Sequence, residues 1–434
     1  MDANSATGTS PRSFLFLQGP IGPFFSRLAQ RLAAAGHAVH RINFHGGDRL
    51  FWRLPGAVDF RGDEAGWPAF LCEHLGRWCI TDLVLFGDCR PMHCAALAAA
   101  AEHKLPAHVF EEGYLRPNWI TLERGGVNGN SVLPRDPQYY RVAGQSAPRR
   151  EEAPVASSFA RRAFEDVLYH TAMALTRNHF RGYRTHRPWH PYVDYAHAAG
   201  RFLRRPFVKG YTAALSERLA AQPQPYFVFP LQLDADTQIR HHSVFRRMRP
   251  AIEHVIASFA RHAPGDALLS VTEHPLETGV AGLKLIVDRC ATDAGVRSRV
   301  VYFEGGTPDR LLRGSRGVIT VNSTIGVRAL SWGLPVATLG QAVYALPGLT
   351  HQGTVDKFWR HAAPPDPSLF AAFRRVLVTR TQINGGFYSD SAISMAVREA
   401  AGRLQQEPAL EESVRPRTSR FDPDLLLPPT ATAL

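Results

Sequence analysis

The stretch SFLFLQGPIGPFFSRLAQRLAAAGHAVHRINF, residues 13–44, decides the fold class. An apolar run is followed by a Gly/Pro turn, an amphipathic segment and a second apolar run. Phe24, Phe25, Leu28 and Leu32 recur at helical spacing, Gly36 stands where a helix C-terminus needs a residue tolerant of positive φ, and Val39 with Ile42 belongs to the next strand. This is a βαβ unit. TDLVLFGD (81–88) and AHVFEEG (107–113) repeat its first half, each a short buried strand followed by acidic residues or glycine. Polar chemistry thus collects beyond the strands, where an open parallel sheet places its ligands.

After AQPQP (221–225) the alternation restarts. YFVFPLQ, ALLSVTEHP, VVYFEGG, GVITVNST and PVATLG are five further strand candidates separated by segments of helical length. The expectation is an α/β, GT-B-like chain of two Rossmann-like parallel-sheet domains facing a cleft. Residues 1–222 form the first domain, including a basic, aromatic bridge at about 150–222, and 223–404 form the second. Residues 405–434, rich in Pro, Ser and Thr, read as a disordered end.

At 434 residues the chain is too long for one ordinary core, and its 45% hydrophobic content is ample for burial. No apolar stretch is long enough to span a bilayer, and MDANSATGTSPRS has neither the basic nor the apolar region of a secretory signal, so the expected location is cytoplasmic. Five cysteines at irregular spacings read as reduced thiols; Cys89, His93 and Cys94 lack the paired spacing of a structural zinc site. The net charge of +12 calls for an anionic partner. Residues 161–210 carry ten Lys/Arg against three Asp/Glu among many aromatics, which suits either a solvated helical bridge or a face for anionic lipid headgroups. No nucleic-acid module is recognisable, and neither QGPIGP nor FEGGTPD fits a dinucleotide or P-loop fingerprint.

Three polar strand ends converge in the second half. Asn322, Ser323 and Thr324 open a helix where backbone N–H groups attract phosphate. Glu273, His274 and Pro275 end another strand, and Gln232 a third. The first half supplies Asp88, Arg90, His93, Glu111, Glu112 and Arg116 at its own strand ends. Carboxylates on one wall and phosphate-binding groups on the other describe a nucleotide-sugar glycosyltransferase.

Taken together, FLFLQGPIGPFFSRLA, INFHGGDRLFW, FGDCRPMH, FEEGYLRPNWITLERGGVNG, FVFPLQLDADTQI, EHP, NSTIGVRAL and GLTHQG resemble the KpsS-type capsule polysaccharide synthesis proteins of Gram-negative bacteria, over about residues 14–359. The resemblance implies a β-Kdo glycosyltransferase that takes Kdo from CMP-β-Kdo with retention. Its acceptor would be a phosphatidylglycerol-type lipid at the cytoplasmic face of the inner membrane, with other capsule synthesis and export proteins as partners. It implies no cofactor beyond the CMP-Kdo donor, no metal and no nucleic acid. Retention by double displacement needs a carboxylate nucleophile and a base. Glu112, followed by Gly113, Tyr114, Leu115 and Arg116, matches the acidic motif of related Kdo transferases, with Glu111, Asp88 and His93 as alternatives. Arg116 or Arg90 would receive the Kdo carboxylate, His274 with Glu273 and Pro275 would hold CMP, and Ser323 with Thr324 would take its phosphate. Gln232 corresponds to a "QP"-like position, without the proline. The rival reading is a noncatalytic export or assembly component.

Overall fold

The computed structural model describes residues 10–185 and 191–406. The chain opens as the βαβ reading expects. Strand β1 (Ser13–Phe16) leads to α1 (Phe24–Ala34), β2 (Ala38–Asn43), α2 (Gly46–Phe51), β3 (Ala57–Asp59), α3 (Trp67–Arg77), β4 (Asp82–Phe86), α4 (Pro91–Glu102) and β5 (Ala107–Glu112). These five strands are parallel, in spatial order β5-β4-β1-β2-β3. Antiparallel strands extend the β5 edge: β6 (Trp119–Arg124) pairs with β5, and β12 (Gln382–Asn384), from the far end of the chain, pairs with β6. The stretch 110–129 is therefore a strand end, a hairpin and a glycine turn. The sheet is buried on both faces. Phe14, Phe16, Phe110 and Ile120 pack towards Phe24 and Ile393, while Leu15, Leu83, Leu85 and Val109 pack towards Trp67, Leu71 and Ala96. Burying each such side chain contributes roughly 1.5–3 kcal/mol.

Between the sheet's two sequence segments lie α5 (Pro137–Ser146), α6 (Phe159–Leu175) and α7 (Pro191–Ala221). The second sheet follows: β7 (Tyr226–Pro230), α8 (Thr237–His241), α9 (Met248–His262), β8 (Leu268–Thr272), α10 (Leu283–Asp293), β9 (Val300–Phe303), α11 (Asp309–Arg313), β10 (Gly317–Thr320), α12 (Ile325–Ser331) and β11 (Val336–Thr338). All five strands expected from the sequence are present. They run parallel in the order β11-β10-β7-β8-β9 around a core of Phe227, Phe229, Ile252, Phe259 and Val271. Helices α13 (Val355–His361) and α14 (Pro367–Arg380) follow, then β12 and α15 (Asp390–Gln405).

The α/β class and the parallel sheets agree with expectation; the boundaries at 222 and 404 do not. Among the described residues, one compact unit comprises 10–132, 149–185 and 378–406, and the other comprises 133–148 and 191–377. The physical reason is pairing. Strand β12 bonds to β6, and Ile393, Ala396 and Leu404 of α15 bury their side chains in the first sheet's core, so the C-terminal segment returns to the first unit. The basic bridge divides as well: α6 belongs to the first unit and α7 to the second. Its residues 186–190, and the end expected to be disordered from residue 407 on, lie outside the described residues.

Candidate active site

The carboxylates of β5 are placed by the hairpin. A Cβ at Gly113 would lie 1.9 Å from the Trp119 carbonyl oxygen, so only glycine lets the two strands approach here. The pleat sends neighbouring side chains to opposite faces. Glu112, on the face of Phe110, accepts the Tyr388 hydroxyl at 2.7 Å, and its carbonyl accepts from Thr121 Oγ1 at 3.0 Å. Burial and the Glu112 charge push the Tyr388 hydroxyl up, so it stays a donor, and the Arg162 guanidinium lies 4.4 Å above its ring. Glu111 points to the other face, half-buried, and accepts the Glu112 N–H at 2.9 Å. Burial pushes its carboxyl up to about 7; that N–H bond opposes the rise, and the Glu112 and Asp88 charges reinforce it.

Asp88 and His93 hold backbone in place. Asp88 is buried, its Oδ2 accepting from Val127 N–H (2.9 Å) and Asn130 Nδ2 (3.0 Å) and its Oδ1 from the Cys89 thiol (3.2 Å). It fixes the glycine turn after β6. His93 is fully buried and its Nδ1–H donates to the Gly87 carbonyl at 2.7 Å. Burial and the Asp88 charge push the Cys89 thiol far up, and burial raises Cys94, so both stay protonated.

The two arginines differ. Arg90 immediately precedes α4 and makes no side-chain cap bond; its guanidinium lies 5.6 Å from the Phe86 ring, and its Nη1 is buried with no hydrogen-bond acceptor among the described residues. A desolvated donor without an acceptor is costly and fits an anionic ligand. Arg116 is exposed, and its Nε donates to the Gly113 carbonyl (3.3 Å).

Sequence reasoning missed several polar groups. Tyr388 lies 276 residues from Glu112 in the chain. Gln382 accepts the Tyr114 N–H (3.0 Å) and donates to Thr121 (3.1 Å), locking the hairpin from β12. His45 caps α2: its Nδ1 accepts from the N–H groups of Gly47 (3.1 Å) and Asp48 (3.4 Å). Burial lowers its pKa, so the ring is neutral with the proton on Nε2. That nitrogen donates to the Tyr169 hydroxyl at 3.1 Å, which also accepts from Gln18 Nε2 at 2.9 Å. The only legible signal for it was HGGD inside INFHGGDRLFW. Beyond the ends of β2 and β3 lies a cavity of about 830 Å³ lined by Arg49, Arg61, Trp52, Phe60, Asn43 and Asp59.

In the second unit the expected groups do meet at adjacent strand ends. Gln232 Nε2 donates to Asn322 Oδ1 (3.1 Å) and its Oε1 accepts from the Asn322 N–H (3.2 Å), tying β7 to β10. Glu273, buried, pairs with Arg201 of α7 and accepts from the Tyr302 hydroxyl (3.0 Å). These three side chains are engaged within the fold. Ser323 Oγ caps by accepting the Ile325 N–H (3.3 Å), whereas Thr324 makes no side-chain cap bond. His274 is half-buried, and its Nδ1 accepts the Leu276 N–H (3.1 Å), which leaves Nε2 as its donor. Pro275 is exposed beside Gly306. His274, Ser323 and Thr324 are the groups of this set best able to meet a ligand.

Fold and residues define an α/β protein whose two parallel-sheet units each gather polar side chains beyond their strand ends. More narrowly, the chain belongs to the capsule polysaccharide biosynthesis protein family, whose model matches residues 81–388. It is 34% identical to the capsule polysaccharide export protein KpsS of Escherichia coli over 381 residues, 87% of this chain and 97% of that protein. It is 35% identical to the capsule polysaccharide modification protein LipB of Neisseria meningitidis over 404 residues, 88% and 92% of the two chains. Among solved structures, the β-Kdo 2,7 transferase KpsC of Thermosulfurimonas dismutans aligns at 13% identity and a TM-score of 0.45, covering 91% of this chain and 98% of the other.

Proposed function

We propose that this chain is a retaining glycosyltransferase that moves Kdo from CMP-β-Kdo to a phosphatidylglycerol-type lipid, starting the poly-Kdo linker of a capsule at the cytoplasmic face of the inner membrane. The observation that carries the reading is the pair of carboxylates at the end of β5: Glu112 held by the Tyr388 hydroxyl, and Glu111 pushed up to about 7. In the first step a Glu112 oxygen attacks the anomeric carbon, the bond to the CMP phosphate breaks, and CMP leaves. In the second, the acceptor hydroxyl attacks that carbon, its proton passes to Glu111, which at the end of β5 lies near enough to Glu112 for their charges to interact, and the Glu112 carboxylate is released. Two inversions give retention. A carboxyl that titrates near the working pH is suited to taking and returning that proton. Arg90, with its unaccepted Nη1, receives the Kdo carboxylate, and Arg116 is the second candidate. His274, Ser323 and Thr324 hold the CMP moiety, with Gln232, Glu273 and Asn322 keeping their strand ends in register. Both displacements use no metal and no cofactor besides the donor. Arg49 and Arg61, over aromatic walls, support the first unit's cavity as a place for an anionic acceptor headgroup.

The E. coli relative is named an export protein, which favours a second reading, a noncatalytic export or assembly component of the same pathway. The test is transfer from freshly generated CMP-Kdo to a fluorescent phosphatidylglycerol analogue, read by mass. Addition of Kdo by the wild type, and none by a Glu112→Gln protein that still binds CMP, is expected. Wild-type turnover by Glu112→Gln would move the nucleophile elsewhere. A folded wild type that neither binds CMP nor transfers would turn the reading to the noncatalytic role.

A further inference from the structure

Helix α6 is turned inside out. Its buried side is polar: Glu165, Tyr169 and His170 face the protein, and the Tyr169 ring sits so close to Gly47 of α2 that a Cβ there would lie 2.7 Å from it. Its solvent side is apolar. Phe164, Val167, Leu168 and Leu175 recur at helical spacing, with the half-buried Thr171 and alanines between them, and Phe164 is 67% exposed and Leu175 82%. With Phe159, four of these make α6 the richest element in exposed large hydrophobic side chains among the described residues. Leaving such a stripe in water is unfavourable, and ordinary surface helices show the opposite orientation.

The charge around the stripe selects its partner. Residues 159–185 contain five arginines and two carboxylates. Glu165 is buried against Arg161, and Asp166 lies 3.4 Å from His170, whereas Arg162, Arg177, Arg181 and Arg184 are exposed. The one exposed carboxylate that pairs with α6 among the described residues, Asp390, is matched by both Arg161 and Arg27, so the rim stays net positive. An apolar stripe with such a rim matches an anionic lipid leaflet, in which the stripe enters the acyl boundary while the arginines meet phosphates. Two copies of this chain paired through α6 would set the arginine rims against each other. At 17 residues the helix is about 25 Å long, and its polar, packed inner side keeps it in the plane of the interface.

We infer that α6 is an interfacial helix that docks the protein on an anionic bilayer by inserting Phe164, Val167, Leu168 and Leu175. This deepens the proposed function and rests on its premise that the acceptor is a membrane lipid. The test is flotation of the full chain with vesicles of phosphatidylcholine alone or with 30% phosphatidylglycerol, a composition of about physiological surface charge. The variants are Phe164→Glu/Leu168→Glu and, away from the stripe, Arg177→Gln/Arg181→Gln. Wild type should float with the anionic vesicles, the stripe variant should need at least about tenfold more lipid, and the arginine variant should lose several-fold at low salt. Equal flotation of wild type and stripe variant, or no flotation of wild type, would overturn the inference. So would an altered sedimentation coefficient with unchanged flotation, which would assign the stripe to a second copy. Transfer to a detergent-free short-chain acceptor is measured in parallel, since it reports on the enzymatic reading alone and should survive the stripe substitutions.

Discussion

Glu111 is held at a cost that can be measured. The gap between the 4.5 of an unperturbed glutamate and about 7 in the folded protein is worth roughly 3 kcal/mol at pH 8, where both states are ionised. The sign follows from linkage. The folded carboxyl binds its proton more tightly than the unfolded one, so stability falls as pH rises from the unfolded value through about 7 and then stays low. Glu111→Gln removes the charge and keeps an oxygen to accept the Glu112 N–H. Allowing for the side chain's partial access to water, the substitution should stabilise the protein by about 2 kcal/mol at pH 8 and by less than about 1 kcal/mol at pH 5. A unit of this size gains roughly 2–4 °C in Tm per kcal/mol, so a rise of about 5 °C at pH 8 is expected from calorimetry, with little change at pH 5. Transfer should fall in the same variant, since a strained titrating group is retained for its chemistry. A variant less stable than wild type at both pH values would refute the reasoning, because Glu111 would then be a net stabilising carboxylate.

Asp88→Asn and Asp88→Ala separate structure from chemistry. If Asp88 serves the turn, the alanine variant loses about 2–3 kcal/mol in urea unfolding as Val127 N–H and Asn130 lose their acceptor, while the asparagine variant keeps most of its transfer activity. Abolished transfer in a stable Asp88→Asn protein would return it to the catalytic candidates. At the opposite end of the same strand, Asp82 is fully buried and bonded to His108 (2.7 Å), Thr81 and Arg12. Burial alone would raise its pKa, but those partners more than offset it and the pKa is lowered. Its contribution is therefore present above the unfolded value and lost as pH falls through the folded one. Asp82→Ala should cost roughly 3–5 kcal/mol at pH 7, with the difference from wild type narrowing below about pH 4 in urea titrations.

The sequence by itself determined the elements that depend on local periodicity. Phe24, Phe25, Leu28 and Leu32 specify α1 because 3.6-residue spacing puts them on one face, and runs such as YFVFP and GVIT are strands because an interior parallel strand is buried on both sides. It also placed the polar side chains Glu111, Glu112, His274 and Ser323 beyond or at the carboxyl ends of strands, since that follows from parallel topology. The tertiary structure decided which polar side chains are engaged within the fold. Asp88, Gln232, Glu273 and Asn322 carry the residue types of a catalytic or binding site, yet their oxygens and amides are taken up by the Val127 turn, by one another and by Arg201. Conversely, Glu112 has its partner in Tyr388, and the hairpin has its brace in Gln382, because β12 crosses back to pair with β6. A hydrogen bond depends on distance and direction in space and leaves no periodic trace along the chain. The orientation of α6 belongs to the same category. Its basic, aromatic composition is readable, but only packing against Gly46 and Gly47 shows that the polar side was buried and the apolar side left outside.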